Sequence, residues 1–334
     1  MKPNFKFKPM MTITLTGLLV IQALSGALAN NGDESHLNAN APGDKSNTTV
    51  VMLGTGTPVL KHERAGQSIL IVVDKEMYLF DAGPGFVRNF DALSGEDFMP
   101  EDIYFDNNSV YGAMNKVFLT HLDSDHVMGM PELMLRPWIM GRSEPLKVVG
   151  PQGTKAMTTN ILEAYVDDID HRLHGTQPAS EDGFTVEVSE ISDTQVVHQD
   201  DKVTITAFNV HHGSWADGMA FGYRVETPEK TVVISGDTRH EEELYQYFDG
   251  ADILIHEVMS EQGVSQLPQD WQNYLYHAHT STQQLAEIGR HIAPELLVMN
   301  HPLFFGQSDE QLTNEMANYY DGEFVLSEDL DIYK

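Results

Sequence analysis

Two hydrophobic periods alternate along the chain. Short runs rich in Val, Ile, Leu and Phe, with the character of buried strands, read "TVVMLG", "SILIVV", "MYLFDAG", "KVFLTH", "LKVVG", "FTVEVSEI", "KVTITAFNV", "FGYRVE", "KTVVISGD", "DILIHEV" and "LLVMNH". Stretches with apolar residues three and four apart, "MPELMLRPWIMG", "TKAMTTNILEAYVDDIDHRL", "HEEELYQYFDG" and "STQQLAEIGRHIA", predict helices. The strands come in two batches with helices between them, which predicts an α/β architecture of sheets inside a helical coat. No internal repeat is visible and no linker follows residue 48, so residues 49–334 read as one domain.

The first residues follow neither period. Lys2, Lys6 and Lys8 precede the apolar run "MMTITLTGLLVIQAL", and "ALA" closes at Ala29. A basic leader, a short apolar run and small residues are the pattern of a cleaved signal peptide over 1–29, and the run is shorter than the roughly 20 residues of a membrane span. Residues 30–48, rich in Asn, Gly and Asp, read as a flexible lead-in. These features predict a periplasmic or secreted protein without a stable membrane anchor.

Composition sharpens two points. With no cysteine in 334 residues, disulfides, thiolate ligands and a cysteine nucleophile are excluded. Acidic residues number 50 against 20 basic, giving a formal net charge of −30. Such a field repels phosphate backbones and anionic membrane, and fits a soluble protein of salty surroundings.

The candidate chemistry sits at strand ends. "LFDAG", "FLTHLDSDH", "FNVHHG", "VISGDT" and "VMNHP" each place Asp or His just after an apolar run, where a rigid scaffold presents reactive groups to a loop. His121, Asp123, Asp125, His126, His211 or His212, Asp237 and His301 together supply the nitrogen and oxygen donors that two divalent ions with one bridging carboxylate require. One histidine among these is more often only hydrogen-bonded; the whole set points to metal. Trp138, Tyr165, Trp215, Trp271 and Phe304 read as core aromatics before they read as a substrate pocket.

"HLDSDH", taken with "LGTGTP", "FDAGPG", "SGDTR", "LIHEV" and "LVMNHP", resembles the metallo-β-lactamase superfamily, in the branch of ribonuclease Z and the bacterial zinc-type arylsulfatases. The motifs run in family order from Val51 to about His301. The resemblance implies an αββα sandwich with a dinuclear metal site at the sheet edge. It implies that His121, Asp123 and His212 (matched to V-x-H-G) hold one ion, that Asp125, His126 and His301 hold the other, and that Asp237 bridges. Asp81 matches the carboxylate that orients a ligand histidine. Asp123 departs from the family's H-x-H-x-D-H, in which a histidine stands there. An aspartate oxygen is a competent zinc ligand, but a third carboxylate brings the first shell near neutrality and favours harder ions, so the expected cofactors are two Zn2+ with Mn2+ or Fe2+ competing.

The catalytic candidates are Asp125, doubling as a ligand, His279 and Glu257. His279, in "HTS", matches the family's H-[ST] motif and its proton donor to the leaving group, with His277 the lesser alternative and Glu257 its partner. Export, acidity and the want of a basic glycine-rich arm count against ribonuclease Z. They lead to a small-molecule ester as substrate, with no nucleic acid as partner and a homodimer left open. The expected activity is an arylsulfatase. A phosphodiesterase is the alternative, as is a weakly active metal-binding relative in which Asp123 spoils the chemistry.

Overall fold

The computed structural model describes residues 48–334 apart from 102 and 104. The expected signal peptide and most of the lead-in lie outside the described residues. Seven strands form one sheet, in the order β14-β1-β2-β3-β4-β5-β6. These are β1 (Thr48–Gly54), β2 (Ser68–Val73), β3 (Glu76–Phe80), β4 (Lys116–Phe118), β5 (Leu146–Pro151), β6 (Val186–Ile191) and, from the far end of the chain, β14 (Ile332–Tyr333). The other sheet runs β13-β12-β11-β10-β9-β8-β7. Its strands are β7 (Gln195–Gln199), β8 (Thr204–Asn209), β9 (Phe221–Glu226), β10 (Thr231–Ile234), β11 (Ile253–Met259), β12 (Leu296–Leu303) and β13 (Phe324–Leu326).

Alternation within each strand builds the layers. Val50, Met52, Ile69 and Ile71 face inward and meet Ile205, Tyr223, Val232 and Ile255 of the second sheet. Val51, Leu53, Leu70 and Val72 face outward, under Phe86, Phe90, Leu133 and Met134. Phe208, Val233, Leu254 and Leu297 do the same on the other side, under Phe248, Leu285, Ile288 and Met316. Because both faces are covered, β1 and β2 are buried at every position, and their sequences run apolar without a polar beat. Helix, sheet, sheet and helix are thus stacked in the expected αββα order. No helix among the described residues is long and apolar enough to cross a membrane.

The topology carries a repeat that the sequence does not display. In the first sheet β14, β1, β2 and β3 pair antiparallel, and β4, β5 and β6 then add in parallel. In the second sheet β7 to β10 pair antiparallel, and β11, β12 and β13 add in parallel. The two halves share a wiring diagram and little else, so no residue pattern betrays it. Both switches from antiparallel to parallel lie beside the candidate site: Asp81, His121 and Asp237 follow β3, β4 and β10, and Glu257 lies within β11.

The helix Met130–Ile139, which follows the His/Asp cluster, contains Pro137. Proline has no N–H to donate four residues back, so the Leu133 carbonyl is left without its helical partner. Arg142, wholly buried, fills the gap: its guanidinium donates to the carbonyls of Leu133 (3.0 Å), Met134 (2.5 Å), Met114 (3.1 Å) and Gly183 (3.0 Å). No carboxylate is among these acceptors, and burial pulls the guanidinium down to about 9. Replacing Arg142 with Met should therefore cost at least about 3 kcal/mol in a denaturant titration, since several buried carbonyls lose their donor together.

Candidate metal centre

Four segments converge on one edge of the two sheets. "THLDSDH" turns from β4 into the short helix Ser124–Val127, whose first turn carries Asp125 and whose last carries His126. Close backbone contact pins this turn: a methyl on Gly83 would come within 2.3 Å of the Asp125 carbonyl oxygen, so "FDAGPG" needs glycine there. His301 sits on a β-bulge. Glu257 pairs with Asn300 and Val258 with Pro302, which leaves His301 as the extra residue, at φ +47°. Bulges of this kind re-aim a side chain, and this one turns the His301 imidazole toward Asp125 (Nε2 to Oδ2 3.1 Å) and Asp237 (3.6 Å).

The donors fall into two groups. Asp125, His126 and His301 form one, with His126 Nε2 3.5 Å from Asp125 Oδ2. His121, His212 and Asp237 form the other. Asp237 reaches both: its oxygens lie 3.6 Å from His126 Nε2 and 4.0 Å from His212 Nε2. Asp123 stands beside the second group, with Oδ2 3.4 Å from His121 Nε2 and 3.2 Å from His212 Nε2. It differs from the rest in lying at the rim, its side chain 41% exposed. His211 faces away, its Nδ1 2.5 Å from Glu241 Oε2, which leaves His212 as the member of the pair that enters the cluster.

Neighbours decide which ring nitrogen faces inward. Thr120 gives its one hydroxyl proton to Asp81 Oδ2 (2.8 Å), so at 2.9 Å from His121 Nδ1 the same oxygen can only accept. His121 Nδ1 is thereby the protonated nitrogen, and Nε2 offers its lone pair to the cluster. His126 Nδ1 donates to Asp81 Oδ2 (2.8 Å), and His212 Nδ1 donates to the Ala278 carbonyl (3.0 Å). Asp81, at φ +58°, also accepts from the Thr120 amide (2.8 Å), so one buried carboxylate orders both histidines of the loop.

Two observations show that the donor set fits metal. His121 Nε2 and His126 Nε2 are buried without a hydrogen-bond partner, a costly state unless something else fills the coordination position. The charges are also crowded. Burial opposes a charged His212, yet the Asp123 carboxylate, with Asp237 beyond it, raises the imidazole to about 9. Burial likewise opposes ionisation of Asp237, but the His301 and His126 imidazoles hold it well below the usual carboxylate range. Cations replacing those protons would relieve the same carboxylates, which is how metal binding displaces protons from a site.

Beside the cluster stands the expected acid. His279 follows the helix Gln269–Ala278 and is buried, its ring centre 5.0 Å from that of His212 and 6.4 Å from that of His301. Its Nδ1 lies 3.0 Å from Glu257 Oε1, which also accepts the Thr238 amide (3.0 Å) and the Thr280 amide (3.3 Å). His277 points elsewhere, to Arg239 (3.1 Å). Of the aromatics, Trp138 is core and packs on Phe184 at 5.2 Å. Tyr165 and Trp271 are exposed, contrary to expectation: Tyr165 stands at the break between two helices and Trp271 on a solvent-facing turn of the helix Gln269–Ala278. Phe304 carries the Lys61 ammonium 3.5 Å above its ring. Trp215, read from the sequence as core before pocket, is instead at the site: its indole Nε1 donates to Asp123 Oδ1 (3.2 Å), a contact with no sign in the sequence.

Comparison with known proteins agrees with this geometry and corrects the expected substrate. The model of the β-lactamase superfamily domain matches residues 77–301. Ribonuclease Z of Mycobacterium bovis (strain BCG / Pasteur 1173P2) is 28% identical over 292 residues, covering 84% of this chain and 96% of that protein. Ribonuclease Z of Mycobacterium sp. (strain KMS) is 29% identical over 256 residues, covering 76% and 84%. The crystal structure of the short form of human tRNase Z superposes with a TM-score of 0.61 at 20% identity, covering 86% of this chain and 98% of that one, and bears on the fold. The expected arylsulfatase activity and the exclusion of nucleic acid are therefore overturned: these relatives, matched along nearly their whole length, carry the name ribonuclease Z. The exclusion rested on expected export, net charge and the want of a basic arm; net charge is a sum over the whole surface that governs long-range encounter, not the chemistry of one sheet edge.

Proposed function

The chain belongs to the β-lactamase superfamily, and from that premise we propose that this metal-dependent hydrolase is a phosphodiesterase that cleaves RNA. The observation that carries the proposal is the His279–Glu257 pair, 3.0 Å apart and packed against the imidazoles of both ligand groups. The name shared by the relatives supports a phosphodiester as the bond broken. Asp123, His121 and His212 would hold one divalent ion, Asp125, His126 and His301 the other, and Asp237 would be shared. When bound, such ions would supply Lewis acidity for the negative charge that develops on the phosphoryl oxygens and would acidify water to a nucleophile.

The remaining work falls to the chain. His279, held through Nδ1 by Glu257, keeps its other nitrogen for the departing oxygen and delivers a proton there as the P–O bond breaks. Glu257 is itself fixed by two backbone amides, so the imidazole is presented in one orientation. The acidic surface argues for a short contact, a single-stranded end entering the sheet edge, because a long duplex track would need basic residues that this composition lacks. The test is hydrolysis of a single-stranded RNA, a bis-aryl phosphate and an aryl sulfate by the metal-loaded protein. Cleavage of RNA and diester with the sulfate untouched is expected; cleavage of the sulfate alone would sink the reading.

Asp123 sets the expected metal preference. Three carboxylates leave the shell less positive than the usual site, and oxygen donors favour manganese over zinc more than nitrogen donors do. Asp123→His should therefore raise zinc affinity relative to manganese by about 10-fold in competition dialysis. An unchanged ratio would show that Asp123 does not touch the ion.

A further inference from the structure

We propose that Trp215 is a positioning residue that makes Asp123 a metal ligand, a reading that rests on the dinuclear centre proposed above. Each imidazole of the Asp123 side of the cluster is held from behind. Thr120 accepts from His121, and the Ala278 carbonyl accepts from His212. Asp123 differs, because its side chain is 41% exposed and solvent competes for its oxygens. The indole N–H of Trp215 supplies what is missing. By donating to Oδ1 at 3.2 Å it leaves Oδ2 facing His121 and His212, at 3.4 and 3.2 Å.

The loop that carries Trp215 is built for this. Residues 210–220 form a closed excursion between β8 and β9, pinned at the neck by the Val210 amide donating to the Ala220 carbonyl (3.0 Å). Inside it, the Trp215 amide donates to the carbonyl of His212 (3.1 Å), and Gly213 turns the chain at φ +54°. One turn therefore presents both a ligand imidazole and the donor that orients the neighbouring carboxylate.

The chemistry of the pair is selective. Indole N–H is a donor only, so it suits a carboxylate, which only accepts. A histidine at position 123 that offered one nitrogen to an ion would turn a protonated nitrogen outward, donor against donor. The aspartate and the tryptophan therefore form a matched set, and Trp215 has a purpose that depends on Asp123.

The experiment is a double-mutant cycle on the full chain, read as affinity for Mn2+ and Zn2+ by equilibrium dialysis. Trp215→Phe keeps the ring and removes the N–H. It should weaken one of the two ions by about 10-fold, the scale of an outer partner to a ligand, and spare the other. In the Asp123→His background the same substitution should cost less than about 2-fold. An equal loss in both backgrounds, or none in the first, would overturn the inference while leaving the dinuclear centre intact. Wild-type protein that binds no ion would overturn both. A second measurement compares the wild type with Trp215→Phe: saturating Mn2+ should quench a share of the wild-type tryptophan emission that the variant lacks, and equal quenching in both would place Trp215 away from the ion.

Discussion

Asp237→Ala should release both ions. Its carboxylate lies within 4.0 Å of imidazoles from each donor set, and it is almost completely buried. Loss of an outer partner to a ligand already costs about 10–100-fold in metal affinity. Loss of a shared ligand should exceed ~100-fold for each ion, and it leaves His126, His301 and His212 facing one another with less compensating charge. Asp125→Ala is the control, because Asp125 reaches only His126 and His301 among the ligand imidazoles. Metal analysis after dialysis should find near-zero content for Asp237→Ala and about one ion per chain for Asp125→Ala. One retained ion in both variants would show that Asp237 does not bridge.

His279→Ala should lower kcat by about 100- to 10,000-fold, the usual worth of a positioned proton donor. Metal content should not change, because the His279 nitrogens contact Glu257 and none of the ligand atoms described. The loss should depend on the leaving group. A nitrophenolate departs without a proton, whereas a ribose hydroxyl does not. A nitrophenyl diester should therefore suffer less than RNA. Equal losses on both substrates would assign His279 to binding or structure.

Much of this site was legible because its residues are local to strand ends. Apolar runs closed by Asp or His mark the places where β3, β4, β10 and β12 deliver side chains, and no long-range information is needed to see them. His279, which follows the helix Gln269–Ala278, was legible only through the resemblance of "HTS" to the family's H-[ST] motif. The supporting contacts were not. Ala278 matters through a carbonyl that any residue would supply, Thr120 through a proton count, and Trp215 through a loop folded back on His212. None of these has a spacing.

The fold shows the same division. β1 and β2 announce themselves by burial on both faces, whereas β7, "QVVHQ", is mostly exposed and β14 is two residues long. Both depend on partners distant in sequence. The run Thr154–Leu173 reads as one helix but breaks at Tyr165 into Thr154–Ala164 and Val166–His174. The substrate was misread from expected export, acidity and a missing basic arm, and none of these is local to the sheet edge where the chemistry sits.

The most direct measurement is phosphodiester turnover by chelated protein titrated with Mn2+ or Zn2+, with bound metal counted at each point. Turnover on RNA that is absent at the start and rises to a plateau at two ions per chain is the result expected of two donor sets sharing one carboxylate. Turnover that survives chelation, or a plateau at one ion, would contradict it.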